Sequence, residues 1–100
     1  MWLIIDDARE KGCDVVARTA EAGKALLKAL NWECLVLDHD LGCRESGYDV
    51  IKWAIENECV PPRVQIVSMN PVGVENIAAA LKAHGYQRAA VTKRVWRVVS

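Results

Sequence analysis

The sequence predicts an α/β fold built on an open parallel sheet that is covered on both faces. Continuous apolar runs rich in β-branched residues, typical of strands buried on both faces, occur at Trp2–Ile5, Cys34–Leu37 and Val64–Val67. Segments with apolar residues at helical spacing separate these runs, and alternating strands and helices define the α/β class. Asp14–Ala17 and Ala89–Val91 are weaker strand candidates.

Three helices are expected between the strands. Thr19 can cap the first, over Ala20–Leu30, because its hydroxyl can accept a hydrogen bond from a backbone N–H of the first turn. The second, over Tyr48–Asn57, is apolar around most of its circumference and should be deeply packed. Asn70 can cap the third, with a proline at its first position and Gly85 placed to end it.

Two segments depart from a regular alternation. The link between the first strand and Asp14 is shorter than the dozen or so residues that a parallel crossover usually needs. Either the first connecting helix is missing and a loop makes the crossing, or the second strand pairs differently. The tail, Thr92–Ser100, is predicted to be extended, so a closing helix is also expected to be missing. Residues 1–100 are expected to form one domain.

Composition excludes several classes of protein. Hydrophobic residues make up 52% and charged residues 26% of the chain, which is a folded rather than a disordered composition. The 13 basic residues balance the 13 acidic ones, so net charge does not indicate a nucleic-acid binder. No apolar run approaches the roughly 20 residues that span a bilayer. Asp6 and Asp7 follow the first apolar run directly and argue against a signal peptide, so we expect a cytoplasmic protein without a membrane partner.

The cysteine spacing gives no sign of a disulfide or zinc framework. No C-x-x-C pair occurs, and His39 and His84 do not complete a zinc-ligand spacing. We expect reduced thiols at all four positions. These are Cys13, Cys34, Cys43 and Cys59.

Polar side chains follow the predicted strands at the points where the strands end. In an open parallel sheet, ligands bind outside the carboxyl ends of the strands. Residues from separate stretches of the chain should therefore converge on one rim. They are Asp6, Asp7, Asp38, His39, Asp40, Ser68, Asn70 and Lys93.

The carboxylates of this rim suggest a metal site. Clustered carboxylates repel one another, so a group such as Asp6, Asp7 and Asp38 is tolerated mainly when a cation neutralises it. Oxygen ligands favour Mg²⁺ or Mn²⁺, and we add Asp40 to the predicted ligands. Taken alone, an Asp-Asp pair at a strand end is more often a turn or a helix cap.

The other rim residues suit a phosphoryl group. A divalent ion would bridge to one phosphoryl oxygen, and Ser68, Asn70 and Lys93 would bind the others. His39 is a candidate general acid or base, since its charge changes near neutral pH. It also has a simpler interpretation, in which its hydrogen bonds only orient the loop.

Basic residues are concentrated towards the end of the chain. No acidic residue follows Glu75, whereas five basic residues do, and Arg9 and Arg18 lie near the start. A basic edge beside an acidic rim would suit a phosphorylated substrate or an RNA end. The alternative is a solvated basic face that balances the acidic loops.

These motifs resemble those of receiver domains of two-component signalling. The acidic pair follows the first strand, Asp38 stands at the position of the phosphorylated aspartate, and Ser68 and Lys93 match the family's Ser/Thr and lysine positions. The resemblance implies a receiver or flavodoxin-like open sheet, here reduced at both ends.

A diverged branch, the cyclic-phosphate processing receiver domain, is more similar still. The resemblance covers residues 3 to about 85 and implies action on a cyclic phosphate in RNA-end or nucleotide metabolism. The matching segments are Asp6–Arg9, Arg18–Thr19, Leu37–Gly42, Gly47–Val50 with Trp53, and Ser68–Gly73. Two positions depart from the family pattern, because Val67 replaces a usual histidine and Val74 a usual basic residue.

Three hypotheses about function follow. The first is a metal-dependent phosphoesterase that opens a cyclic phosphate, with Asp38 and His39 catalytic and Arg9, Arg18 and Lys93 binding phosphate. The second is a phospho-accepting receiver with Asp38 as nucleophile, although glycine replaces the usual proline at position 42. The third is a catalytically silent module that binds a partner protein, which the two valine replacements favour.

Overall fold

A computed structural model of the protein describes residues 1–42, 44–88 and 95–98. For residues 97 and 98 it describes the backbone alone. Within these ranges the chain forms six strands and three helices. The strands are β1 (Trp2–Ile5), β2 (Val15–Ala17), β3 (Cys34–Leu37), β4 (Arg63–Ile66), β5 (Tyr86–Arg88) and β6 (Val95–Val98). The helices are α1 (Ala20–Ala29), α2 (Gly47–Glu56) and α3 (Pro71–Ala83). The predicted α/β class is confirmed.

The strands form one sheet in the order β2-β1-β3-β4-β6-β5. The first four pair in parallel, as the sequence predicts. The predicted parallel sheet is therefore seen in part: in the C-terminal segment, whose pairing the sequence left open, β6 lies antiparallel between β4 and β5. Residues 89–94, which join β5 to β6, are fewer than the dozen or so that a parallel crossover needs, so the returning strand pairs antiparallel.

The ends of the chain match the prediction only in part. The predicted strand Ala89–Val91 lies outside the described residues, and β5 forms just before it. The predicted extended tail is found over 95–98, and the rest of it also lies outside the described residues. The absence of a closing helix therefore stays a prediction.

The link between β1 and β2 consists of turns and irregular backbone. Lys11 and Gly12 adopt left-handed conformations there, with φ of 52° and 66°. The Asp14 N–H donates to the Trp2 carbonyl at 3.1 Å, and β2 then pairs parallel with β1. Of the two alternatives for this link, the structure therefore shows a loop that makes the crossing.

The helices pack on one face of the sheet in the described part of the chain. The larger buried cluster takes residues from β1, β3 and β4 and from all three helices, among them Leu27, Ile51 and Ile77. A smaller cluster on the other face consists of Ile4, Cys34 and Val36, and no helix residue belongs to it among those described. The sequence predicted a sheet covered on both faces, and in the described ranges the helices contribute to the cluster on one of them.

Helix caps fix the loops at the carboxyl edge of the sheet. The Asn70 side chain accepts from the Gly73 N–H at 3.1 Å at the start of α3, and Thr19 accepts from the Ala22 N–H at 3.1 Å at the start of α1, as predicted. Ser46 caps α2 in a capping box with Asp49, a feature not predicted from the sequence.

Gly47 brings the start of α2 against the end of β3. Its N–H donates to the His39 carbonyl at 2.8 Å. A Cβ atom at this position would overlap the carbonyl oxygen of Asp38, which belongs to backbone and cannot move alone. The closeness of α2 to β3 therefore requires glycine.

We predict that Gly47→Ala lowers the free energy of unfolding by about 3 kcal/mol, because the added methyl group must push two backbone segments apart. Gly12→Ala is the control, since its φ of 66° is left-handed but no atom lies within 4 Å of the added Cβ. Its cost should be about 1 kcal/mol. Urea denaturation of both variants measures the difference, and an equal loss in both would contradict the packing argument.

Candidate functional site

The parallel ladder aligns the ends of β1 and β3. Ile5 is paired with Leu37, and the Asp38 N–H extends the ladder by donating to the Ile5 carbonyl at 3.0 Å. Asp6 and Asp38, the next residues along, therefore emerge side by side at the carboxyl edge. The Val67 N–H makes the same kind of bond to Leu37 at 3.0 Å, which brings the end of β4 to this edge.

Three carboxylates meet at this edge. One oxygen from each of Asp6, Asp7 and Asp38 lies within 4.8 Å of the others. Asp6 is 0% exposed and Asp38 5% exposed, whereas Asp7 is exposed. We call these three residues the carboxylate cluster. Two buried carboxylates at this separation require a positive charge close by.

Arg9 supplies that charge within the chain itself. Its Nη1 atom lies 2.9 Å from Asp6 Oδ2 and 3.5 Å from Asp38 Oδ2, so one guanidinium spans both buried carboxylates. The hydrogen bond to Asp6 is the main cause of a raised pKa for Arg9. The sequence predicted a phosphate ligand at this position and gave no sign of the ion pair.

The other oxygen of Asp6 holds the loop. Oδ1 accepts the N–H groups of Ala8 at 2.9 Å and Arg9 at 3.1 Å. Arg18 fastens the same loop from outside, because its Nη1 donates to the carbonyls of Arg9 at 2.9 Å and Asp6 at 3.3 Å. The structure thus places Arg18 on the backbone of the loop.

Folding moves the pKa values of the two buried carboxyls in opposite directions. Burial raises the pKa of Asp38 above the 3.8 of a free aspartate, and the charge on Asp6 adds to the rise. Burial also acts to raise the pKa of Asp6. There the backbone N–H groups of Ala8 and Arg9 and the Arg9 guanidinium outweigh it, so that the pKa falls below 3.8. Asp38 is therefore the incompletely compensated member of the pair.

Asp40 lies apart from the carboxylate cluster. Its side chain is 63% exposed and its Oδ1 lies 3.1 Å from His39 Nδ1. Its N–H donates to Asp38 Oδ1 at 3.3 Å, so its backbone belongs to the rim while its carboxylate faces the histidine. The structure does not bring Asp40 together with the other predicted metal ligands.

His39 is held against the first turn of α3. Its side chain is 18% exposed. A Cβ atom on Gly73 would overlap the imidazole at Cγ and lie 2.7 Å from Nδ1 and Cδ2. The segment Asn70–Gly73, part of the matching segment Ser68–Gly73, therefore has two local roles, since Asn70 caps the helix and Gly73 leaves room for the ring.

The predicted phosphate ligands lie in different settings. Ser68 is fully buried and its hydroxyl accepts from the Asn70 N–H at 3.0 Å, whereas the Asn70 side chain caps α3. Lys93 lies outside the described residues. Val74, which replaces the family's usual basic residue, is 5% exposed and part of the main core. At position 74 this chain therefore uses its side chain for packing.

The remaining expectations concern thiols and membranes. The cysteines at positions 13, 34 and 59 have no disulfide, and Cys43 lies outside the described residues. In the described ranges, no helix combines the length and the apolar character needed to cross a membrane.

Comparison with known proteins identifies the family. A family model described as the cyclic-phosphate processing receiver domain matches residues 1–83. The chain belongs to this family, as its motifs indicated. No curated protein matches the chain.

One solved structure shows a similar fold. It is described as the trimeric coiled coil of yeast Spc42, amino acids 181–211, fused to another structure. The TM-score is 0.62 at 22% identity, over 79% of this chain and 60% of that one. The chain spans less than two thirds of that protein, and at this identity the similarity concerns the fold alone.

We predict that Asp38→Asn raises and Asp6→Asn lowers the stability of the metal-free protein near neutral pH. Because folding raises the pKa of Asp38 above 3.8, the contribution of Asp38 to stability falls as the pH rises above that value. Because folding lowers the pKa of Asp6, its contribution is present above 3.8 and is lost as the pH falls below it.

The expected sizes are a gain of about 1 kcal/mol for Asp38→Asn and a loss of about 3 kcal/mol for Asp6→Asn, which breaks a buried ion pair. Thermal unfolding in EDTA measures both. Glu10→Gln, an exposed acid of the same loop, should change little. Destabilisation by both aspartate variants would show that Asp38 is as well compensated as Asp6.

A second prediction concerns Gly73→Ala, which should displace the His39 ring because the new methyl group would occupy its place. Nuclear Overhauser contacts between the imidazole and the first turn of α3 report the movement. Asn76→Ala, an exposed change in the same helix, is the control. Unchanged imidazole contacts in Gly73→Ala would contradict the packing described for His39.

Proposed function

We propose that the protein opens a cyclic phosphate on a nucleotide or an RNA end, with a divalent cation held by the carboxylate cluster. The family description supports the cyclic phosphate. The observation that carries the proposal is the cluster itself, with two buried carboxylates and one exposed one within 4.8 Å at the carboxyl edge of the sheet. Ligands bind at this edge in open α/β sheets.

The residues fit a hard divalent ion. All three donors are carboxylate oxygens, which Mg²⁺ and Mn²⁺ prefer, and the exposed position of Asp7 keeps the cluster open to solvent. Burial is the main cause of the raised pKa of Asp38, and a cation beside this carboxylate would offset its buried charge. When bound, the ion would polarise a phosphoryl oxygen and offset its charge.

His39 would move the proton. Donation from Nδ1–H to the Asp40 carboxylate leaves Nε2 as the atom for proton transfer, so Asp40 acts as a positioning residue. Water attacks phosphorus, one of the two ring P–O bonds breaks, and the released alkoxide oxygen takes a proton. The product is a phosphomonoester, and the proton balance needs one group that accepts from water and donates to the alkoxide.

The phosphate would be bound at the loop after β4. Ser68, Asn70, Lys93 and Arg18 keep the phosphate role predicted from the sequence as part of this proposal. The first turn of α3 packs against His39 through Gly73, so the positive end of this helix lies near the rim, which favours an anion.

A silent interaction module is the second candidate, and one observation favours it. Unused buried carboxylates are costly without a cation, but Arg9 already neutralises them in part. A chain that had lost the reaction could therefore keep an intact cluster. Binding of a partner protein would then be its function. Val74, which packs in the core where the family usually has a basic residue, is consistent with loss of the reaction.

We predict hydrolysis of 2′,3′-cyclic nucleotides in the presence of Mn²⁺, with activity abolished by Asp38→Asn. His39→Gln should lower kcat by about 10²- to 10⁴-fold, the usual contribution of general acid–base catalysis. His84→Gln is the matched control, because His84 stacks on Tyr86 at the far end of α3. Chromatography of the reaction products measures the rates of the wild type and of all three variants.

Two results would overturn the proposal. Turnover that persists in Asp38→Asn would point to a contaminating enzyme. No turnover by the folded wild-type protein on cyclic nucleotides or on a cyclic-phosphate-ended RNA would favour the interaction module.

A further inference from the structure

One oxygen of each buried carboxylate contacts the same guanidinium. Asp6 Oδ2 and Asp38 Oδ2 each contact Arg9 Nη1, at 2.9 and 3.5 Å. The other oxygen of each carboxylate accepts from the backbone, since Asp6 Oδ1 accepts from the Ala8 and Arg9 N–H groups and Asp38 Oδ1 from the Asp40 N–H. A cation that binds between Asp6 and Asp38 would therefore meet Arg9 at the oxygens that accept no backbone N–H group.

We infer that Arg9 and a divalent ion compete for the Asp6–Asp38 pair, and that binding of the ion releases the guanidinium towards the phosphate. The inference rests on the proposed metal site but adds a task for Arg9. Arg9 is the internal cation of the cluster before loading and a phosphate ligand after it.

The loop is built so that the side chain of Arg9 can leave while its backbone stays. Arg18 fixes the Arg9 carbonyl at 2.9 Å, and Asp6 Oδ1 holds the Arg9 N–H. The Arg9 side chain is 34% exposed, so it already reaches solvent. Rotation about its side-chain bonds is therefore enough to exchange two carboxylates for an anion at the same rim.

Charge supports the exchange. Two positive groups between the same two carboxylates would repel each other at short range, and this repulsion favours departure of the guanidinium. An arginine displaced in this way can make paired hydrogen bonds to a phosphate, which its planar guanidinium matches well. Metal and phosphate binding would then be coupled through one side chain.

The test is a single substitution with opposite effects on two ligands. Arg9→Gln should tighten Mn²⁺ binding about tenfold, because the competitor is gone, and should weaken binding of inorganic phosphate to the Mn²⁺-loaded protein about tenfold. Isothermal titration calorimetry measures both. Lys11→Gln, which removes the same charge from an exposed position in the same loop, should change either affinity less than about twofold.

Arg9→Lys is a second, more conservative variant that tests the same competition should Arg9→Gln fail to fold. Lysine keeps the charge but cannot span both carboxylates, so Mn²⁺ should bind with an affinity between those of the wild type and Arg9→Gln. Circular dichroism confirms that each variant is folded.

The outcomes separate this inference from the proposed function. Mn²⁺ binding that is equal or weaker in Arg9→Gln would overturn the competition and leave the metal site standing. Binding to Arg9→Gln but not to wild type would support Arg9 as the resident cation and overturn metal dependence of the natural protein. No Mn²⁺ binding to either, nor to Arg9→Lys, would overturn both.

Discussion

The repulsion between two buried carboxylates is the constraint on which the rim of this protein depends. The parallel ladder between β1 and β3 leaves Asp6 and Asp38 adjacent at the carboxyl edge, where both are buried, and Gly47 of α2 packs against the Asp38 backbone. Neither strand can shift without moving apolar side chains out of the core. The sheet therefore imposes the closeness of the two charges, and the surrounding loop must compensate for it.

The residues around the pair answer this constraint unequally. Asp6 receives two backbone N–H groups and the nearer contact of Arg9, which lower its pKa, whereas Asp38 receives one weak backbone bond and a longer contact. Asp38 is thus the less compensated of the two carboxylates, and the proposed cation would offset its charge.

The sequence predicted elements whose signals are local, while long-range pairing and side-chain contacts came only from the structure. Thr19 and Asn70 cap their helices because a short polar side chain just before a helical segment can accept a hydrogen bond from a backbone N–H of the first turn. The position of β6 between two other strands depends on pairing across the chain, and no local pattern encodes it. The convergence of Asp6, Asp7 and Asp38 could be predicted because they follow strands whose carboxyl ends meet at one edge of the sheet. The Arg9 ion pair and the fit of His39 against Gly73 depend on side-chain positions that spacing does not define. The available sequence signal for the fit of His39 was Gly73 itself, in the segment that follows Ser68.

Paramagnetic broadening by Mn²⁺ tests the central claim most directly, because it locates a cation rather than merely detecting one. We expect substoichiometric Mn²⁺ to broaden the amide resonances of residues 6–9 and 38–40 first, and to leave those near Glu33 and Glu58, exposed acids at the opposite edge of the sheet, sharp. This pattern would place the ion between Asp6 and Asp38. Uniform broadening, or broadening centred on other acids, would contradict the claim that the buried pair organises the site.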